Sequence, residues 1–191
     1  MMVVMSAGEV VAETPELLRV EYEQLVESGL LDDQRVELLN GRQAAMSAEP
    51  VEHASVIDAI HDQLAEAVTK AGMRIRLGHP IALSDVDEPE PDLAVVEDRE
   101  DRYREGHPGP GQVHLIVEVA HRSLSKDVGE KATRYSLAGI PDYWVVDLRR
   151  RRTILHRGPD PLTRRYLSIR TIPFGQPAEP LALPEAGVAL H

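Results

Sequence analysis

The segment Val113–Ala120, VHLIVEVA, constrains the fold more than any other stretch of the chain. A run this apolar reads as a strand covered on both faces, so the chain must supply layers on either side of a sheet. One carboxylate, Glu118, sits inside that run. Burying an ionised carboxylate costs several kcal/mol unless it is paired or bound to a metal ion. Two readings stay open for Glu118 at this point: a structural salt bridge, or a ligand in a functional site.

The rest of the chain supplies the layers. Thr14-Pro15 starts a helix, with Thr as N-cap and Pro at the first helical position, running to about Ser28 and closed by Gly29. In RVELLNGRQAAM, Asn40-Gly41 predicts a two-residue turn joining strands Val36–Leu39 and Arg42–Met46. Val56, Ile60, Leu64, Ala67 and Val68 give one apolar face of a helix from about Glu52 to Ala71, ended by Gly72. Strands are expected at Met73–Leu83, Asp92–Glu97 and Val113–Ala120, with the polar loop EDREDRYREGHPGPG between the last two. A helix from about Lys126 to Ala138, with Ser123 and Ser125 as capping residues, stops at Gly139 with Pro141 beyond. The dense strand DYWVVDL follows, with Tyr143 and Trp144 read as core and interface residues. Arginine-rich strands come next, around Thr153–His156 and Tyr166–Ile172. The helix between VHLIVEVA and DYWVVDL predicts that these two strands are central and parallel, joined by a right-handed crossover. The order predicts an α/β fold with a mixed central sheet and helices on it. One domain is expected over residues 1–191, with its core at about 14–172 and with 1–13 and 173–191 as terminal extensions.

Composition narrows the function. With 42% hydrophobic and 28% charged residues and no apolar run near the roughly 20 residues of a membrane span, a soluble globular protein is expected. There is no cysteine, which excludes disulfides, thiolate zinc sites and cysteine nucleophiles and suits a cytoplasmic location. The opening MMVVMSAGEVVAE lacks a basic region and a cleavage site, so it reads as a leader without fixed structure and not as a signal peptide. The net charge of -11 opposes non-specific nucleic-acid binding, which depends on cations that neutralise phosphates. Residues 149–170 depart from that balance, with eight arginines against Asp160: +7 there and -18 over the remaining residues. That stretch is either a phosphate-contacting stripe or a solvated hairpin with charged edges.

The acids that could join Glu118 are few. Asp92 in EPEPDLAVV stands at the mouth of an apolar strand, and it could converge with Glu118 if the two strands are neighbours. Two close carboxylates repel unless a cation lies between them, and hard oxygen ligands suit Mg²⁺ or Mn²⁺. Glu37 alternates with Val36 and Leu38 on its hairpin strand, so it can face the same cleft. Asp127, Lys131 and Tyr135 share one helical face; Lys131 either forms an ordinary pair with Asp127 or stabilises charge developing on a phosphate. His107, His114 and His121 match no metal-binding spacing and are read as incidental. No nucleophilic-serine, phosphate-loop or dinucleotide motif occurs.

These residues carry a resemblance. PD ending at Asp92, EVA at 118–120, SKDVGEK at 125–131 and AGIPDYWVVDL at 138–148 resemble the bacterial restriction-endonuclease-like family within the PD-(D/E)xK nuclease superfamily. RVELLNG at 35–41 and His53 at the start of the next helix match as well, and the likeness runs from about Val20 to Arg157. The resemblance implies a restriction-endonuclease-like core and phosphodiester hydrolysis on DNA. It makes Asp92 and Glu118 the ligands of Mg²⁺ or Mn²⁺, with the Val119 carbonyl assisting. Glu37 becomes an additional catalytic acid and Lys131 the catalytic cation. The superfamily lysine two residues after the glutamate is replaced here by Ala120, so its role passes to Lys131 on the helix.

Three functions compete on this reading: a Mg²⁺-dependent DNA endonuclease, a non-catalytic nucleic-acid-binding or protein-interaction module on the same fold, and a small-molecule phosphoesterase. Retention of Glu37, Asp92, Glu118 and Lys131 together favours the first. The acidic balance and the lysine missing at Ala120 favour the second. A homodimer is the expected assembly, since cutting both strands of a duplex suits one.

Overall fold

The computed structural model describes residues 16–191, so the helix start read at Thr14-Pro15 and the leader 1–13 lie outside the described residues. Helix α1 (Arg19–Glu27) is followed by β1 (Val36–Leu39) and β2 (Arg42–Ala45), a separate antiparallel hairpin. Asn40 and Gly41 turn it with φ of 52° and 66°, the left-handed conformation a tight hairpin turn needs. Gly41 is also fixed by space, because a Cβ there would come within 2.7 Å of the Glu16 side chain.

Helix α2 (Val51–Lys70) places Ile60, Leu64 and Val68, four residues apart, on one buried face. A six-stranded sheet forms the centre, built from β3 (Met73–Leu77), β4 (Leu93–Glu97), β5 (Val113–Ala120), β6 (Asp142–Asp147), β7 (Arg152–Asp160) and β8 (Arg165–Pro173) in that spatial order. Only β5 and β6 run parallel, with Glu118 opposite Val145; every other pairing is antiparallel. The mixed α/β architecture is the one expected from the element order. Both β5 and β6 are buried along nearly their whole length because the sheet is covered on both faces. One face carries α2 over Leu93, Leu115, Val117 and Trp144; the other carries Tyr135, Ile140, Tyr143 and Val145.

Four details differ from the sequence reading. The strand expected at Met73–Leu83 stops at Leu77, and residues 78–83 are irregular. The helix joining β5 to β6 is a composite of α3 (Leu124–Lys126), a π turn (Asp127–Lys131) and α4 (Ala132–Leu137), ended by Gly139 at φ 78°. Ser123 holds the N-cap position of that run without a side-chain capping bond. The segment after β8 also reaches the core, where Ala178, Leu183, Val188 and Leu190 pack on the α2 face.

The segment leading into β4 is tied to the hairpin through Glu88, whose N–H donates to the Leu38 carbonyl at 2.8 Å. The Glu88 side chain is buried with Oε2 unpartnered, and the nearest cation, Arg19, stands 3.9 Å away. Burial, followed by the neighbouring Glu23, pushes its carboxyl up to about 8 from an ordinary 4.5. A folded-state value above the unfolded one means the protonated form favours folding. That stabilisation is complete below about 4.5 and is lost as pH rises through about 8. Glu88→Gln, which has nothing to ionise, is therefore expected to be more stable than the wild type above pH 8, by on the order of 1 kcal/mol, with the gap closing as pH falls toward 4.5. Urea denaturation at both ends of that range measures it.

Candidate active site

The ends of β4 and β5, the hairpin and the π turn surround a cavity of about 350 Å³ lined by Glu37, His53, Asp92, Glu118, Asp127 and Lys131, among others. Asp92 immediately precedes β4, and its Oδ2 accepts from the Val119 N–H at 2.6 Å and lies 3.1 Å from His53 Nε2. The antiparallel pairing of β4 with β5 brings it there, since Leu93 stands opposite Val117.

Glu118 is the centre of the cluster. Its Oε1 accepts from Lys131 Nζ at 2.8 Å and from the Tyr135 hydroxyl at 2.9 Å. Lys131 Nζ also lies 3.1 Å from Glu37 Oε2, so one ammonium serves two buried carboxylates from two different elements. Glu37 is fully engaged: it accepts from Lys126 Nζ at 2.8 Å and from the Glu90 N–H at 3.2 Å as well. The Asp127–Lys131 pair that equal helical spacing suggested does not form. The widened π turn sends both residues inward while Val128, Gly129 and Glu130 between them stay exposed.

The charges follow from that packing. Burial would lower the proton affinity of Lys131, but the charges of Glu118 and Glu37 outweigh it and hold the group above its ordinary range, so it stays an ammonium. Burial would raise Glu37, but Lys131 and Lys126 overcome it and keep its carboxyl below the usual value. Burial wins at Glu118, whose carboxyl is pushed well above the usual range, because its one cation is shared with Glu37 and Asp92 and Asp127 add negative charge. His53 resists the lowering effect of burial through its contact with Asp92 and the charge of Glu49, and its net shift is upward.

The four residues singled out in the sequence, Glu37, Asp92, Glu118 and Lys131, all line this one cavity. Sequence reading did not assign Lys126, Glu49 or Glu90 to it. Glu49 could have been found from its four-residue spacing to His53, to whose Nδ1 it lies at 3.4 Å. Ligand atoms from Glu49, His53 and Asp92 fall within 4.8 Å of one another, a grouping able to hold a metal ion. The arginine stretch is less available than its composition suggested. Arg150 and Arg152 bond Asp147, Arg157 bonds Asp142, and Arg151 lies over the Phe174 ring at 5.1 Å. Arg149, Arg164, Arg165 and Arg170 are exposed.

A covered mixed sheet with acids and a buried lysine converging at its central strands defines a restriction-endonuclease-like α/β protein. The chain belongs to the Uma2 family, whose model, described as "Putative restriction endonuclease", matches residues 19–191. It also resembles a solved structure from Anabaena variabilis ATCC 29413, described as "a putative nuclease belonging to DUF820", with a TM-score of 0.61 and 15% identity over 81% of this chain and 86% of that one. At that identity the likeness speaks to the fold alone. No curated protein matches the chain. Among the described residues, no helix is long and apolar enough to cross a membrane.

Proposed function

We propose that this chain is a divalent-metal-dependent endonuclease that hydrolyses DNA phosphodiester bonds. The observation that carries this reading is the Lys131 ammonium, buried against Glu118 and Glu37 and facing a cavity that also presents Asp92. Asp92 and Glu118 are the ligands proposed for Mg²⁺ or Mn²⁺. The donor set fits: each carboxylate makes its protein contacts through one oxygen, Oδ2 of Asp92 and Oε1 of Glu118, leaving the other oxygen for a hard cation. Glu49 and His53 offer the same cation an alternative ligand set sharing Asp92. When bound, the metal would polarise a phosphoryl oxygen and acidify water.

The chain's own groups divide the remaining work. Lys131, held protonated, stabilises negative charge on the phosphate and takes no proton from water. Glu37 positions both lysines, since its oxygens are spent on Lys126, Lys131 and the Glu90 amide. A homodimer would place two such sites on one duplex.

The charge of -11, with half of the arginine stretch engaged internally, favours a second reading: a nucleic-acid-binding or protein-interaction module that keeps the fold without cleavage. Incubation of the purified protein with supercoiled plasmid separates the two. Nicked and linear products are expected with Mg²⁺ or Mn²⁺ and none with EDTA. Retarded DNA migration without cleavage in any metal would give the case to the binding module.

A further inference from the structure

Asp127 is the buried acid that the catalytic scheme above leaves without work. It is 2% exposed, lines the cavity beside Lys131, and its Oδ2 has no hydrogen-bond partner among the described residues. An unpaired buried carboxylate oxygen is costly, and native structures keep few of them. The backbone around it is pinned: its N–H donates to the Ser123 carbonyl at 3.0 Å, and its carbonyl accepts from the Tyr143 hydroxyl at 2.9 Å. The fold therefore fixes the backbone from which this residue lines the cavity.

From this arrangement we infer that Asp127 is the general base of the site, taking a proton from the water that attacks the phosphate. The inference rests on the nuclease reading above. It follows from the occupancy of the three carboxylates already given roles, Glu37, Glu118 and Asp92. Glu37 is saturated by two lysines and an amide, Glu118 Oε1 by Lys131 and Tyr135, and Asp92 Oδ2 by Val119 and His53. The second oxygens of Asp92 and Glu118 are assigned to the cation. Lys131 carries its proton throughout. Of these carboxylates, Asp127 alone keeps a buried oxygen, Oδ2, without a partner among the described residues. Burial, and the negative charges of Asp92 and Glu37 against the opposing Ser123 and Lys131, raise its proton affinity, which suits a base.

The step balances without a further reactant. A proton passes from water to Asp127 Oδ2 while the water oxygen forms a bond to phosphorus. The phosphorus–oxygen bond to the leaving sugar then breaks, its electron pair staying on that oxygen, which takes a proton from solvent. Asp127 returns its own proton to solvent.

The test compares Asp127→Asn and Asp127→Ala with the full-length wild type under single turnover with Mn²⁺. A lost general base is expected to lower the cleavage rate by about 10²–10⁴-fold while DNA and Mn²⁺ affinities change less than about threefold. Formate is expected to restore part of the rate to Asp127→Ala by occupying the space of the missing carboxylate, and to leave Asp127→Asn unchanged. Cleavage at the wild-type rate by Asp127→Asn overturns the assignment. Loss of Mn²⁺ affinity in Asp127→Asn overturns it too, by making the residue a metal ligand. A lower rate with no formate rescue and a lowered melting temperature makes Asp127 structural and equally overturns it. Absence of cleavage by the wild type removes the base together with the nuclease reading, an outcome distinct from wild-type cleavage that survives the substitution.

Discussion

Lys131→Met is expected to lower metal-dependent cleavage by about 10²–10³-fold, the usual loss when a preorganised group that stabilises transition-state charge is removed. Methionine keeps most of the length and apolar body of the side chain and removes the ammonium. Two consequences follow from the contacts at 2.8 Å to Glu118 and 3.1 Å to Glu37. The first is a stability loss of about 3–5 kcal/mol, because a partner is taken from buried carboxylates; this is a large share of a typical 5–15 kcal/mol. The second is its repair: Glu118→Gln added to Lys131→Met removes one unpaired charge and is expected to recover part of the stability without recovering cleavage. Metal binding by Lys131→Met is expected to survive, since the cation then supplies the missing positive charge. Measuring melting temperature, Mn²⁺ affinity and cleavage on the same preparations separates the catalytic loss from the structural one. Equal cleavage by the wild type and Lys131→Met would sink the role assigned to this lysine.

Much of the fold was legible because its signals are local. Asn40-Gly41, the four-residue spacing of Ile60, Leu64 and Val68, and the apolar density of Val113–Ala120 each encode an element within a few residues. Glu118 stood out for the same reason, as a charge in a segment that only a covered strand explains. What stayed hidden depends on tertiary pairing. The tail from Ala178 to Leu190 joins the core through scattered apolar residues among prolines and glycines, a pattern without helical or strand period. Lys126 looks like one more helix lysine until the fold brings Glu37, 89 positions away, to 2.8 Å. The π turn cannot be read from DVGEK either. In that turn both Asp127 and Lys131 face the cavity, where Lys131 meets Glu118 and Glu37 instead of Asp127. The arginine stretch misled in the opposite direction, since Asp142 and Asp147, the acids that engage Arg150, Arg152 and Arg157, precede it on β6.

Asp92→Ala is expected to abolish Mn²⁺ binding, by at least about 100-fold in affinity, because Asp92 belongs to both ligand sets the cavity offers. The same substitution removes the acceptor of the Val119 N–H at 2.6 Å and the neighbour of His53 at 3.1 Å. A stability cost of about 1–3 kcal/mol is expected from those lost bonds, small enough to leave the protein folded. Calorimetry on two further variants then identifies the ligand set. Glu118→Gln lowers Mn²⁺ affinity if the ion lies between Asp92 and Glu118, whereas Glu49→Gln lowers it if the ion lies with His53. The Glu118 variant carries an internal control, because neutralising Glu118 removes a carboxyl that burial already disfavours as an anion. Its folding is therefore expected to suffer less than that of Lys131→Met, and a drop in Mn²⁺ affinity reads as a lost ligand and not as a lost fold. Equal Mn²⁺ affinity in the wild type and Asp92→Ala would remove the metal from this cavity, and with it the nuclease chemistry proposed here.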